Sequence, residues 1–394
     1  MADIALTLTG EELLDWLALI LVPGLGPRGA GRLLERMKTP GAIFRASRSR
    51  LEAEGLSGAQ AQSIASGCTY EDAALQAEKM RAVGAAGIPL SHPSYPPLLR
   101  EILDPPPFLF VRGRVEFLQG MMVAVVGTRR PTPYGVSVAE RLSGDLARAG
   151  LVIVSGMARG IDSAAHRGAL AASEKTLAVL GCGVDVVYPS ENKRLADEIA
   201  QNGLLVSEFP MSSPAFPQNF PIRNRIISGM CLGVLVVEGA QYSGSSITAK
   251  LAVEQGKEVF AIPGNITSKM SWGPNLLIKQ GAKLVQEWTD VIEELPLEAR
   301  QRLAAAGRNR ILAQGGAANP ATSGPEQASL PLGPAERPAR ALLDHLKYDT
   351  PTHVDELLGS VENCSSSEML AALFELELLG MIKQLPGKHF VKVW

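Results

Sequence analysis

At 394 residues the chain is too long for one ordinary domain, and two or three are expected. A hydrophobic content of 46% is ample for a large core, while a formal net charge of −2 excludes a protein that is basic all over, so any polyanion site must be a local patch. Four scattered cysteines (Cys68, Cys182, Cys231, Cys364) and five dispersed histidines lack the spacing of a zinc or redox site, and neither metal nor cofactor is expected. The N-terminus carries Asp3, Glu11 and Glu12 in place of a basic leader, and the apolar run from Trp16 to Val22 is broken at Pro23-Gly24. Neither a signal peptide nor a membrane span is therefore expected, and a reducing, cytoplasmic setting follows.

In chain order, residues from about Thr9 to Gly84 read as helical. Within them, VPGLGPRGA (Val22–Ala30) followed by Leu33-Leu34 has the layout of a helix-hairpin-helix, whose glycine turn can offer backbone N–H groups to a nucleic-acid phosphate. A weaker echo surrounds Gly55-Leu56-Ser57-Gly58. With only Arg28 and Arg32 nearby, a packing module that never touches DNA is the preferred reading. Prolines at 93, 96, 97 and 105–107 then exclude a continuing helix and mark an extended connection, ending in a strand at Phe108–Val111.

From Met121 to about Leu295, strand-like and helix-like runs alternate. The strands are expected at Val123–Val126, Leu151–Val154, Thr176–Leu180, Gly203–Val206, Gly233–Val237, Glu258–Ile262 and Ala282–Val285. Such alternation predicts a mainly parallel sheet covered on both faces, with ligands bound beyond the carboxyl ends of its strands. Those ends read Gly127-Thr128-Arg129, Ser155-Gly156, Gly181-Cys182-Gly183, Ser207-Glu208-Phe209-Pro210, Glu238-Gly239 and Pro263-Gly264-Asn265. Glycine and small polar residues recur at one strand end after another.

The most telling unit is VAVVGTRRPTPYG, Val123 to Gly135. Thr132 suits an N-cap and Pro133 the first helical position, while Tyr134, Val138, Leu142 and Leu146 mark a buried face that Gly150 ends. A strand, a glycine turn and a helix leave unpaired N–H groups above the strand end, an anion site, and Arg129 and Arg130 lie in it. Three further segments converge there. Ser155-Gly156-Met157-Ala158-Arg159-Gly160-Ile161-Asp162 gives a second turn, with Asp162 placed to cap the next helix. Arg223 and Arg225 flank Asn224 in a short helix begun at Asn219-Phe220, and Ser243-Gly244-Ser245-Ser246 opens another, with Lys250 one turn in.

These groups donate to phosphate and include few acids or bases. Gly-Thr-Arg-Arg is not G-x-G-x-x-G, the second strand ends in Ser155-Gly156 where a ribose-binding Asp or Glu is expected, and no GxxxxGK[ST] occurs, so dinucleotide and P-loop sites are disfavoured. His166 sits within a helix, and Ser243, Ser245 and Ser246 have no assignable base. Asp162, Asp185, Glu208 and Glu238 read as caps or as partners that orient the arginines.

GTRRPTPYG, SGMARGID, LGCGVDVVYPSEN, SEFP, NFPIRNRIISG, VVEG with SGSSITA, and FAIPGN with GPNLLIKQGA closely resemble the DNA-processing protein A (DprA, or Smf) family, from about Pro93 to Leu295. The resemblance implies an extended Rossmann-like domain that binds single-stranded DNA without sequence preference. It also implies a homodimer that helps load the RecA recombinase in natural transformation, without catalytic turnover. The DNA contacts carry over onto Gly127, Thr128, Arg129, Ser155, Gly156, Arg159, Gly160, Arg223, Asn224, Arg225, Ser243, Gly244, Ser245 and Lys250. Lys193, after Ser190-Glu191-Asn192, is a substitute for a basic residue the family places near Tyr188-Pro189. Tyr134, Tyr188, Phe209, Phe220 and Tyr242 are the candidate stacking partners. Leu276-Leu277-Ile278 reads equally as core or, by resemblance, as part of the dimer or recombinase surface. The competing class is a nucleotide-processing enzyme resembling the lysine-decarboxylase-like phosphoribohydrolases, although Ser-Gly-Ser-Ser stands where those carry PGGxGT.

Beyond Arg300 the composition turns to Ala, Gly, Pro, Gln and Ser, as in a flexible linker entered by a helix. Helices at Arg340–Leu346, Val354–Leu358 and Ser366–Leu379, then a hairpin about Pro386-Gly387, outline a winged helix with a two-stranded wing. Its third helix is acidic, which favours protein contact over DNA reading. The expected organisation is a helical SAM or helix-hairpin-helix-like domain over 1–88, the Rossmann-like DNA-binding domain over 89–298, a linker over 299–337 and the winged-helix-like domain over 338–394.

Overall fold

Aliphatic runs that are apolar on both faces belong in a sheet with helices on either side. The computed structural model describes residues 8–314 except 242, and scattered positions between 342 and 392. In it, nine described strands make one sheet. They are β1 (Ala86–Pro89), β2 (Phe108–Gly113), β3 (Met122–Val126), β4 (Val152–Ser155), β5 (Thr176–Val179), β6 (Leu204–Ser207), β7 (Gly233–Val236), β8 (Glu258–Ala261) and β9 (Lys283–Leu284). Their order is β1-β2-β6-β5-β4-β3-β7-β8-β9. All pairs from β6 to β9 are parallel, and β1 and β2 add an antiparallel margin.

The chain runs outward from β3 through β4, β5 and β6, then returns to the other side of β3 with β7. The strand order therefore reverses between β3 and β7, where the register pairs Val123 with Gly233 and Val126 with Val236. A crevice opens beyond the carboxyl ends of strands at such a reversal.

The described helices are α1 (Gly10–Ile20), α2 (Gly26–Met37), α3 (Pro40–Phe44), α4 (Arg48–Ala53), α5 (Gly58–Ser66), α6 (Tyr70–Val83), α7 (Pro97–Arg100), α8 (Pro133–Arg148), α9 (Ile161–Ala171), α10 (Lys193–Asn202), α11 (Asn219–Gly229), α12 (Gly244–Glu254), α13 (Trp272–Lys279), α14 (Trp288–Glu294) and α15 (Leu297–Gln314). Alternation along β3 divides the core. Val123 and Val125 pack with Leu142 and Leu146 of α8 and Ile161 and Ala165 of α9. Ala124 and Val126 pack on the opposite face with Ile226 and Ile227 of α11 and Ala249 and Ala252 of α12. The helices of the first 84 residues have their own core around Leu17, Leu33, Ile43, Leu51 and Ile64, closed against Phe108 and Phe110 of β2. Capping boxes start two of them, Thr9 with Glu12 and Ser57 with Gln60.

Two expectations are corrected here. The strand β1 follows the helices read to Gly84, within the 1–88 domain expected to be helical, and was not foreseen because four residues ending in proline carry little strand signal. The helix expected at the entry to the linker is present: α15 runs to Gln314, and Ala299 and Leu303 bury one turn apart in the core of the sheet face. Good helix formers make this helix, and its thin apolar stripe left its extent unread. Tyr134 leaves the buried face of α8 and is 50% exposed.

Residues 1–316 form one compact unit and 317–394 another. In the second, β10 (Thr352–His353), β11 (Ile382–Leu385) and β12 (His389–Lys392) form an antiparallel sheet in the order β10-β12-β11, so three strands stand where two were expected. Buried Leu342, Leu346, Leu357, Met369, Leu373, Leu376 and Phe390 make its core. The remainder of the expected linker, the acidic positions of the third helix and Pro386-Gly387 lie outside the described residues. No described helix is long and apolar enough to cross a membrane.

Candidate nucleic-acid interface

The reversal between β3 and β7 fixes the first loop. Thr132 accepts from the Gly135 N–H at 3.1 Å and caps α8, with Pro133 at the first helical position. Buried Glu238, just past β7, accepts from the Thr132 N–H at 2.9 Å and from its hydroxyl at 2.6 Å. The Glu238 carbonyl accepts from the Thr128 N–H at 2.7 Å. Both oxygens of this carboxylate are thus spent on holding the loop.

The second loop is pinned to the first. Ile161 donates its N–H to the Thr128 carbonyl at 3.2 Å. Gly160 has φ +78°, and a Cβ there would meet the Thr128 oxygen at 2.4 Å, so only glycine lets the loops approach this closely. Asp162 does not cap the helix that follows, contrary to expectation. It lies in the first turn of α9 and reaches back to accept from the N–H groups of Gly156 at 3.1 Å and Ala158 at 3.3 Å. The N-cap position of α9 is Gly160, which has no side chain to cap the helix.

Arg223 of α11 is buried beneath these loops. Its guanidinium donates to the carbonyls of Gly156 at 2.7 Å and of Val179, and its Nε donates to Asn224 Oδ1 at 3.2 Å. Burial pulls this guanidinium down to about 10, an effect that the nearby Asp162 carboxylate opposes. Burial likewise pushes Asp162 up, opposed first by Arg223. A buried cation and anion thus form the floor.

Above the floor lies a cleft of about 630 Å³. Of the fourteen sequence-derived site residues, Gly127, Thr128, Arg129, Arg223, Asn224, Ser243, Gly244 and Ser245 line it. Ser243 and Ser245 share a hydroxyl contact of 2.7 Å at the start of α12. Exposed Arg129 stacks over Phe220 at 5.4 Å, and Phe220 meets Tyr188 at 5.4 Å between ring centroids. A guanidinium and two aromatic rings therefore stand in a row along one wall.

Six of the fourteen are not in the lining. Ser155 is buried and donates its hydroxyl to the Val125 carbonyl at 2.6 Å, and Gly156 is buried under Arg223. Gly160 lies against Thr128. Arg225 points inward, ion-paired with Glu208 and 3.7 Å from Asp104, because its helical neighbour two residues earlier already takes the cleft side. Arg159 is exposed but paired with Glu191, and Lys250 is exposed, 3.8 Å from Glu254. Lys193 begins α10 and is not in the lining either, nor is Phe209. Tyr242 lies outside the described residues.

Arg130, read with Arg129 as part of the strand-end anion site though not among the fourteen, lines the cleft as well. Sequence reasoning missed Asp162 as a lining residue, along with apolar Ile247 and Met270. His166 is buried, with Nδ1 2.7 Å from Thr176 Oγ1, and burial lowers it to about 3, so it is a neutral packing group. The side chains of Leu276-Leu277-Ile278 are half-buried on α13, Leu277 against the core. Among the described residues no group of His, Cys, Asp and Glu could hold a metal ion.

Residues 87–296 match the family model of DNA recombination-mediator protein A, and residues 325–388 match that of the DprA winged helix domain. The chain is 41% identical over 303 residues to protein Smf of Escherichia coli K12, spanning 77% of this chain and 76% of that protein. It is 45% identical over 217 residues to DNA processing protein DprA of Bacillus subtilis 168, spanning 55% and 73%. The X-ray structure of DNA processing protein A (DprA) from Streptococcus pneumoniae aligns with a TM-score of 0.65 at 36% identity, covering 72% of this chain and 98% of that one. With half of its length inside the first model and a relative matched over three quarters of both chains, this protein belongs to the DNA recombination-mediator protein A family.

Proposed function

We propose that the strand-end cleft holds single-stranded DNA by its backbone, without base specificity and without breaking a bond. The row Arg129, Phe220 and Tyr188 beside the hydroxyls and N–H groups that open α12 carries this reading. Phosphates find a guanidinium and helix-terminal donors, and unpaired bases find flat rings that accept any base. A duplex hides its base faces and gains little from such a wall.

The family's name and the resemblance of the motifs support a further reading. The protein acts as a cytoplasmic homodimer that delivers incoming single strands to a RecA-type recombinase during transformation. Hydrolytic chemistry at Glu238 is disfavoured by the double engagement of its carboxylate with Thr132.

Fluorescence anisotropy with labelled oligo-dT and with a duplex of equal length tests the reading. The single strand should bind at least tenfold tighter, and Arg129→Ala should lose most of that affinity while keeping the wild-type melting temperature. Equal affinity for the duplex, or an Arg129→Ala protein that binds as wild type does, overturns it.

A further inference from the structure

Between Gly26 and Arg50, seven Lys and Arg stand against one acid, Glu35, although the chain as a whole is nearly neutral. The fold gathers part of this excess. A second cleft, of about 570 Å³, is walled by Arg28, Arg32 and Lys38 of α2 and its C-cap, opposite Leu103 and Asp104. Asp104 is already matched, 3.7 Å from Arg225 and 4.0 Å from Arg28. Arg36 and Arg48 are likewise matched by Glu54 and Glu52. Arg32 and Lys38 have no ion-pair partner among the described residues, and Glu35 is the one unmatched acid in the lining. Leu103, 83% exposed, adds an apolar surface in the same cleft.

The position of this cleft says what it fits. Pro27 lines both it and an apolar pocket of about 240 Å³ that Phe209 and Ile222 also line. Ile222 is 45% exposed, and its neighbour Pro221 lines the strand-end cleft. The three depressions are thus neighbours, linked through Pro27 and across the first turn of α11, which separates the strand-end cleft from the other two.

We propose that a DNA strand leaving the strand-end cleft crosses the start of α11 and is held a second time, through its phosphates, by Arg28, Arg32 and Lys38. The helical N-terminal region is then part of the nucleic-acid interface as well as a packing module. This rests on the single-strand reading of the first cleft. A helix is about 10 Å across, so the crossing adds about three stacked nucleotides to the footprint.

The test uses the full chain and oligo-dT of 6 and of 24 nucleotides. Lys38 has φ +73°, which glycine adopts at less cost, so Lys38→Gly removes the charge without endangering the fold. Arg32→Ala/Lys38→Gly should keep the wild-type melting temperature and bind the 6-mer within twofold of wild type. It should bind the 24-mer at least fivefold more weakly, with a salt slope shallower by about 1.4, the share of two phosphate contacts on a single strand. Unchanged 24-mer binding, or equal weakening of both oligonucleotides, overturns the proposal and leaves an acidic protein segment as the better occupant. Arg129→Ala separates the two readings: if it binds the 6-mer normally while the α2 variant still loses the 24-mer, the first cleft is misread and the α2 surface stands alone.

Discussion

The guanidinium of Arg223 lies flat on Gly156: a Cβ at that glycine would meet Nη1 and Nη2 at 2.6 Å each, and Nη1 donates to the Gly156 carbonyl at 2.7 Å. Glycine at the end of β4 is therefore required by an arginine 67 residues away, and the pair locks the second loop onto α11. Gly156→Ala should displace the guanidinium, leave buried charge poorly paired and cost about 3 kcal/mol. Urea denaturation measures that loss, and oligo-dT affinity should fall with it. Unchanged stability would mean that Arg223 does not lie where the structure puts it.

Thr132 joins the cap of α8 to Glu238 across the strand-order reversal. Thr132→Ala should cost about 1–2 kcal/mol, from the lost cap and the stranded carboxylate oxygen, and Thr132→Ser should recover most of it. Equal losses in the two variants would contradict this role for the hydroxyl.

Arg159 is fastened to Glu191 at the protein surface, beside the cleft but outside it. Exposed pairs of this kind are readily exchanged for a phosphate. Glu191→Ala should therefore leave the melting temperature unchanged and tighten oligo-dT binding two- to fivefold at low salt. Unaltered affinity would remove Arg159 from the interface.

Glu208 is pushed up to about 7 by burial, against the pull of Arg225. A carboxylic acid whose folded value exceeds its unfolded value, here 4.5, binds its proton more tightly in the native state. Its ionisation therefore erodes stability as pH rises from about 4.5 to about 7. His166, lowered to about 3, works in the opposite sense and erodes stability as pH falls below about 6.5. Glu208→Gln removes only the first effect. The stability of the variant relative to wild type should climb by about 1.4 kcal/mol per pH unit between pH 4.5 and 7, as urea midpoints across that range would register. A flat difference would contradict the burial assigned to Glu208.

The strand ends were legible because glycine and small polar residues follow each β-branched run, and the chemistry of anion binding needs little more. Side-chain direction was not. Arg223 and Arg225 are two apart on a helix, so one turns toward the cleft and its twin into the core, and sequence adjacency hid the difference. Glu191 and Glu208, the acids that engage Arg159 and Arg225, come from other loops, a pairing only the fold creates. The glycines at 156 and 160 read as turn residues, whereas their larger role is to make room for Arg223 and for Thr128. The helix entering the linker was foreseen, but the extent of α15 was not, because just Ala299 and Leu303 of its described side chains are buried.

The most direct measurement is the salt dependence of oligo-dT affinity in wild type and Arg129→Ala. If a rim of guanidinium and N–H groups grips the backbone, log Kobs should fall linearly with log salt, by about 0.7 per phosphate contacted. Arg129→Ala should then bind more weakly and lose about one contact's worth of slope. Affinity that ignores salt, or a slope that survives the loss of Arg129 intact, would contradict the grip.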